Sequence, residues 1–164
     1  DKRPATSTTP VSPSSALKTK AICCRNVSGI AMLASRSARF ASGYYNKRVD
    51  GYTTTHAANC AGVVDDQLPT AGVPNGDLFW LLVEGPALML TDIAALISIV
   101  EGDAIVALTA ATSQATTAGR VLAATVTSDQ TTIAIQAYNM IGNAMSAKTT
   151  GNTNAVILVN LRLR

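Results

Sequence analysis

Short apolar runs separated by turn residues follow one another along most of the chain. From Gly62 onward, runs of about five to eight mostly apolar residues are bounded by Gly-Asp, Gly-Pro, Ser-Asp and Gly-Asn pairs. Such runs are typical of β-strands joined by tight turns, and many in succession predict a sandwich or a barrel. We therefore predict an all-β fold. We predict strand structure over 131–147. We also predict that Gly85-Pro86 forms a turn at which a strand ends.

The last strand has the clearest pattern. In 156–164 the tail alternates between apolar and polar residues, so Leu161 and Leu163 should face inward. The polar residues of the tail should face outward: Asn160, Arg162 and Arg164. We also expect Leu158 to be buried, so that Leu158→Asp would cost several kcal/mol and unfold the domain.

Residues 90–100 admit a helical alternative. Ile93, Leu96, Ile97 and Val100 fall at helical spacing after a Thr-Asp pair that could cap a helix. The enrichment in Ile and the Glu-Gly-Asp that follows favour a strand instead.

The N-terminal segment has a different composition from the rest. Its first 15 residues contain three prolines and many hydroxyl side chains, and they offer almost nothing to bury. We predict a flexible arm over residues 1–20 and a β-rich body over residues 21–164. The 164 residues fit one domain, for which we expect a single hydrophobic core.

Charge separates the arm from the body. Residues 1–50 carry nine basic and two acidic side chains, whereas the remainder carries four basic and eight acidic ones. A basic arm should bind an acidic surface, and its binding residues would be Lys2, Arg3, Lys18 and Lys20. Nucleic-acid recognition usually adds aromatic side chains for stacking, and none precedes Phe40. We therefore expect no specific binding of nucleic acid.

The cysteines and the apolar runs indicate which cellular compartment to expect. Three cysteines are an odd number, and the adjacent Cys23 and Cys24 rarely bridge each other, so reduced thiols in a cytosolic environment are expected. No secretory signal is recognised. The longest apolar runs, 78–90 and 93–108, are broken by charged residues, Gly and Pro, so neither should span a membrane.

Catalytic and metal-binding patterns are weak. His56 is the only histidine, four residues before Cys60, and a lone histidine in a Thr/Ala-rich loop is far more often a surface residue than a catalytic one. No Cys-x-x-Cys pair supports zinc. Asp65 and Asp66 are expected to be solvated residues before a turn, and Trp80 to lie in the core or at a subunit interface. We predict a protein that is not an enzyme and needs no metal or cofactor.

The succession of motifs from Asn26 to Leu163 resembles a known family, the small capsid decoration (cement) proteins of tailed phages. The resemblance runs through NVSGIAMLASRSARF, NCAGVVDDQLPTAGVPNGDLFWLLVEGPALMLT, EGDAIVALT, AGRVLAATVT, MIGNAMSA and NAVILVNLRL. Each piece is short, and their order is more specific than any one of them.

The resemblance implies a compact β-barrel or tulip-like β domain on the outer capsid surface of a virion. Its implied partner is the major capsid protein, commonly at three-fold positions as a homotrimer that locks neighbouring capsomers. It implies no activity and no cofactor. Another phage structural protein, such as a minor capsid or tail/connector β protein, is the alternative.

Overall fold

A computed structural model describes residues 19–41, 47–52, 60–92, 98–107, 119–124, 128–149, 151 and 155–163. These residues form strands β1 (Lys20–Asn26), β2 (Ser37–Phe40), β3 (Arg48–Tyr52), β4 (Cys60–Val64), β5 (Leu78–Leu90), β6 (Ala104–Ala107), β7 (Val121–Ala123), β8 (Met140–Ala144) and β9 (Val156–Arg162), and helix α1 (Gln130–Asn139). The predicted all-β class is confirmed, with one short helix added. Within the described residues, no helix has the length and hydrophobicity that a membrane-spanning helix needs.

Five strands close into a barrel. The order is β1-β3-β2-β4-β5, and β5 pairs back with β1, which completes the ring. All of these pairs are antiparallel except β1 with β3, which is parallel. Closure leaves none of these five strands as a sheet edge, which is one way in which β proteins avoid unwanted strand pairing.

Strand β5 continues beyond the barrel and starts a second ring. Its first half pairs with β1 and β4, and its second half pairs with β9 from Glu84↔Arg162 to Leu90↔Val156. The order then runs β9-β8-β6-β7. A parallel bridge between Thr91 and Val121 brings β7 back to the end of β5, and among the described residues this isolated bridge closes the second ring.

The wall formed by β4 and β5 separates two hydrophobic clusters, not the single core expected from chain length. Val64 and Leu81 are paired in register and belong to the barrel cluster. Their neighbours Val63 and Leu82, also paired, belong to the cluster of the second ring. All four side chains are buried, because adjacent strand residues point to opposite faces and each face of this wall carries its own core.

Gly85-Pro86 does not end a strand, contrary to the sequence prediction. Strand β5 runs through both residues without a break in its pairing with β9. Gly85 adopts φ +94°, which a glycine tolerates. In the described chain, the pairing of β5 with β1 and β4 has ended before Pro86, so one flank of β5 needs no N–H there and a proline fits.

The prediction of strand throughout 131–147 was wrong in its first half. Residues 130–139 form α1, and only Met140–Ala144 form a strand. Asp129 starts the helix, since its carboxylate accepts a hydrogen bond from the Thr131 N–H at 3.4 Å, as an N-cap residue does. The β-branched residues of this segment favour a strand by propensity, and the N-cap at Asp129 favours the helix against that preference.

The helical alternative for 90–100 falls mostly on residues 93–97, which lie outside the described residues. At its end, Ile99 is buried and forms a bridge with Lys148. Gly29 has φ +77° in a bend, where the sequence also predicts a turn, and Gly43, the other glycine for which the sequence predicts a turn, lies outside the described residues.

Strand β9 alternates as predicted, but Leu158 was assigned to the wrong face. Ile157, Val159 and Leu161 are fully buried, whereas Leu158 is only half-buried and lies on the outer face opposite Leu88. Period-two alternation with Leu161 inside requires Leu158 outside, and the expectation of a buried Leu158 ignored this register.

The two faces of β9 predict different costs for neighbouring truncations. Ile157→Ala should lower the free energy of unfolding by about 2–5 kcal/mol, because it leaves a cavity in the second cluster. Leu158→Ala, on the half-buried face, should cost about 1 kcal/mol or less. Urea unfolding of both variants checks this, and equal losses would contradict the assigned register.

Candidate functional site

The residues predicted to bind through the arm are only partly described. Lys2, Arg3 and Lys18 lie outside the described residues. Lys20 is the first residue of β1, and its ammonium lies 2.6 Å from the Glu84 carboxylate of β5. Both side chains are more than half exposed, so this ion pair contributes little to stability and leaves Lys20 accessible.

Trp80 lies on the outer face of the barrel, in neither cluster. Its neighbours Phe79 and Leu81 are fully buried in the barrel core, while Trp80 is half-buried and pairs with Cys23. Its indole N–H is buried and has no hydrogen-bond partner among the described residues. A half-buried tryptophan on an outer face is typical of an interface, so of the two predicted roles we propose the subunit interface.

His56, the residue considered for a catalytic or metal-binding role, lies outside the described residues. In the described part of the chain, no three His, Cys, Asp or Glu side chains are grouped closely enough to hold a metal ion. Cys23, Cys24 and Cys60 form no disulfide within the described part of the chain. Burial, reinforced by the neighbouring Cys23, raises the pKa of Cys24 to about 12, so this thiol is a core side chain and not a nucleophile.

Asp65 is not the solvated residue that the sequence predicted. It is fully buried, and its Oδ1 accepts a hydrogen bond from the Gln67 N–H at 3.0 Å in a tight turn. Its Oδ2 has no partner among the described residues. Burial raises the pKa of Asp65, the Gln67 N–H opposes this, and the Asp66 carboxylate raises it further. The turn brings together two carboxylates that an extended strand would have separated.

A polar seam joins the barrel to the second ring. We use this name for Ser35, Arg36, Ser37, Thr91, Asp92, Gly119 and Arg120. Ser37 donates to the Gly119 carbonyl through its N–H at 2.7 Å, and the buried Arg120 donates to the Thr91 carbonyl at 2.8 Å.

A second buried arginine lies at the same seam. The guanidinium carbon of Arg36 lies 5.1 Å from the centre of the Tyr52 ring, within cation–π range. Burial lowers the pKa of Arg120, the nearby Arg36 lowers it further, and Asp92 opposes both. The local sequence pattern does not predict that these two arginines are buried, because their contacts depend on segments far apart in the chain.

A basic groove lies on the outer face of the barrel, where β1, β3 and the start of β5 meet. It is lined by Cys23, Arg25, Lys47, Arg48 and Leu78. The basic residues of this groove are part of the N-terminal positive charge seen in the sequence, but the sequence pattern did not predict a site there. Only the pairing of β1 with β3 and β5 brings them together.

Comparison with known proteins finds similarity in fold only. No family model matches the chain, and no curated protein matches it. A chain in the structure of the capsid of Myoviridae phage XM1 aligns with a TM-score of 0.50 and 12% identity, covering 98% of this chain and 93% of that one. The N base of head fiber gp8.5 in bacteriophage phi29 aligns with a TM-score of 0.45 and 13% identity, covering 88% of this chain and 95% of that one.

The likeness shows the fold alone. At 12% identity, the alignment with the XM1 chain supports the architecture over nearly the full length of both chains. The alignment with the phi29 protein is weaker and supports no argument by itself.

The raised pKa of Asp65 predicts that stability falls as the pH rises. The fold favours the protonated carboxyl, so its contribution is complete below the ordinary pKa of 3.8 and is lost as the pH rises through the raised value. Asp65→Asn keeps a neutral side chain of the same shape. Its stability relative to the wild type should therefore increase from about pH 4 to pH 7.

Urea unfolding across this pH range measures the effect. Asp50→Asn is the matched control, because Asp50 is exposed and its ion pair with Arg39 is long, at 3.8 Å. The control should follow the wild-type pH profile. If Asp65→Asn also followed it, the Asp65 carboxyl would not be responsible.

Proposed function

We propose that this chain is a structural protein of a phage head that binds the outer capsid surface and stabilises contacts between capsomers. It acts by binding, without catalysis and without a cofactor. Its partner is the major capsid protein, and it attaches as a homotrimer after synthesis in the host cytoplasm. Trp80 contributes to the subunit interface, and the basic arm contributes to the capsid contact.

The observation that carries this proposal is the full-length likeness in fold to a chain in a phage capsid structure. The motif order from Asn26 to Leu163, which resembles the decoration proteins of tailed phages, supports the same class independently of the coordinates. A fold can host many functions, so the proposal depends on both observations together.

The architecture suits a cementing role. A closed barrel joined to a second ring by a buried wall is a stiff body, and interfaces of about 1,200–2,000 Å² are enough for specific attachment. An arm that orders on binding can extend the contact, at the cost of its ordering entropy. Capsids under internal pressure gain from such additional buried area.

The alternative is a minor capsid or tail/connector protein, and copy number separates the two. In purified particles of the same phage, a cement protein should approach the major capsid protein in number, whereas a connector or tail part would be present in few copies. Quantitative mass spectrometry of the particles gives this ratio. A low ratio would reject the cement role and favour the alternative.

The arm should strengthen attachment more than it stabilises the body. Deleting residues 1–18 removes Lys2, Arg3 and Lys18 but keeps Thr19, whose hydroxyl lies 3.3 Å from the Pro86 carbonyl oxygen, and Lys20 of β1. The truncated protein should melt at nearly the same temperature as the full chain. Its binding to capsids prepared without this protein should be weaker, most clearly at low salt, where charges are least screened.

A full-length variant with Lys2, Arg3 and Lys18 changed to Gln is the matched control for charge. If it binds as weakly as the truncated protein, the charges account for the contribution of the arm. Equal capsid occupancy by the wild-type and truncated proteins across a salt titration would show that the arm is passive.

A further inference from the structure

The basic groove defined above has the features of a binding site for an acidic segment of another polypeptide. It is an open groove of about 460 Å³, and the register sets Arg48, Arg25 and Leu78 in one row across three strands. We infer that this groove binds a peptide segment that carries carboxylates and at least one apolar side chain. The carboxylates would lie between the two arginines, and the apolar side chain would contact Cys23 and Leu78.

The first argument is the like-charge pair. Arg25 and Arg48 are direct cross-strand partners, and both side chains are exposed. Their buried successors Asn26 and Val49 are also paired, which fixes both arginines on the outer face. Strands are about 4.8 Å apart. One carboxylate can therefore accept charge-assisted hydrogen bonds from both guanidinium groups.

The second argument is that the row is held rigidly. The Asn26 amide donates to the carbonyls of Ile30 and Val73 at 2.7 and 2.9 Å, and its Oδ1 accepts from the Ser28 N–H at 3.0 Å. The Arg25 guanidinium donates to the Gly76 carbonyl at 3.1 Å, which orients it along the groove. A preformed site loses little entropy on binding.

Lys47 supplies a third cation in an unusual conformation. Its φ is +48°, in the left-handed region that residues other than glycine rarely adopt, and its carbonyl accepts the Arg25 N–H at 2.9 Å. Strained residues of this kind are concentrated at binding sites. Asp50, two residues after Arg48 on the same strand, lies beside Arg39.

The lining favours a peptide over a nucleic acid. Cys23 and Leu78 are half-buried and offer an apolar surface beside the cations, which a phosphate backbone would not use. The inference does not rest on the proposed function, because it concerns only the binding of an acidic peptide with an apolar side chain to the isolated protein.

Fluorescence anisotropy with the full-length protein tests the site. The probe is a labelled short peptide of alternating glutamate and leucine, compared with the same peptide with glutamine in place of glutamate and with a labelled oligothymidine. We expect the acidic peptide to bind, and Arg25→Gln or Arg48→Gln each to weaken it by about tenfold, as loss of a charge-assisted hydrogen bond does. Binding should also weaken as salt is raised.

Arg162→Gln is the matched control. Arg162 is exposed on β9 beside Glu84, so this substitution removes the same charge at a position away from the groove. It should leave the affinity nearly unchanged, and all three variants should melt at the wild-type temperature. The inference is overturned if the acidic peptide does not bind, if the glutamine peptide binds equally well, or if Arg162→Gln weakens binding as much as Arg25→Gln. Tighter binding of oligothymidine through the same arginines would assign the groove to nucleic acid and also overturn it.

Discussion

Burial of both faces of the β4–β5 wall is the constraint on which the rest of the structure depends. Each of its four central side chains, Val63, Val64, Leu81 and Leu82, is removed from water, two on each face. A wall of this kind cannot be solvated on either side, so it requires a barrel on one face and a second ring on the other. The length of β5, 13 residues, then carries the chain from one ring into the other.

The polar seam secures the junction that this wall creates. Near the end of β5, the N–H of Leu90 donates to the Ser35 carbonyl at 2.9 Å, and the Asp92 N–H donates to the Val121 carbonyl at 2.8 Å. These bonds satisfy backbone groups that would otherwise be buried without partners. In the part of the chain that the structure describes, one isolated bridge closes the second ring, and the seam adds rigidity between its last strand and the barrel.

The surfaces available for binding follow from the closed barrel. Alternation along β1 sends Cys24 into the core and leaves Cys23 and Arg25 outside, so one strand contributes to the core and to the basic groove at once. Trp80 lies next to Cys23 on the same outer face. The arm proposed to bind the capsid leads directly into β1, which brings the proposed arm contact and the groove to the same strand.

The sequence by itself determined the strand class, the alternation of β9 and the separation of a basic N-terminal segment from the body, because these depend on neighbouring residues and on composition. It could not determine the two cores, the passage of β5 through Gly85-Pro86 or the helix after Asp129. It also did not predict two further features: the burial of Asp65, Arg36 and Arg120, and the pairing of Arg25 with Arg48. Apart from the helix, whose N-cap at Asp129 is local, each of these depends on which distant segments meet, and local pattern contains no information on strand partners. Tertiary structure alone decided them, because burial and charge contacts are set by packing across the chain.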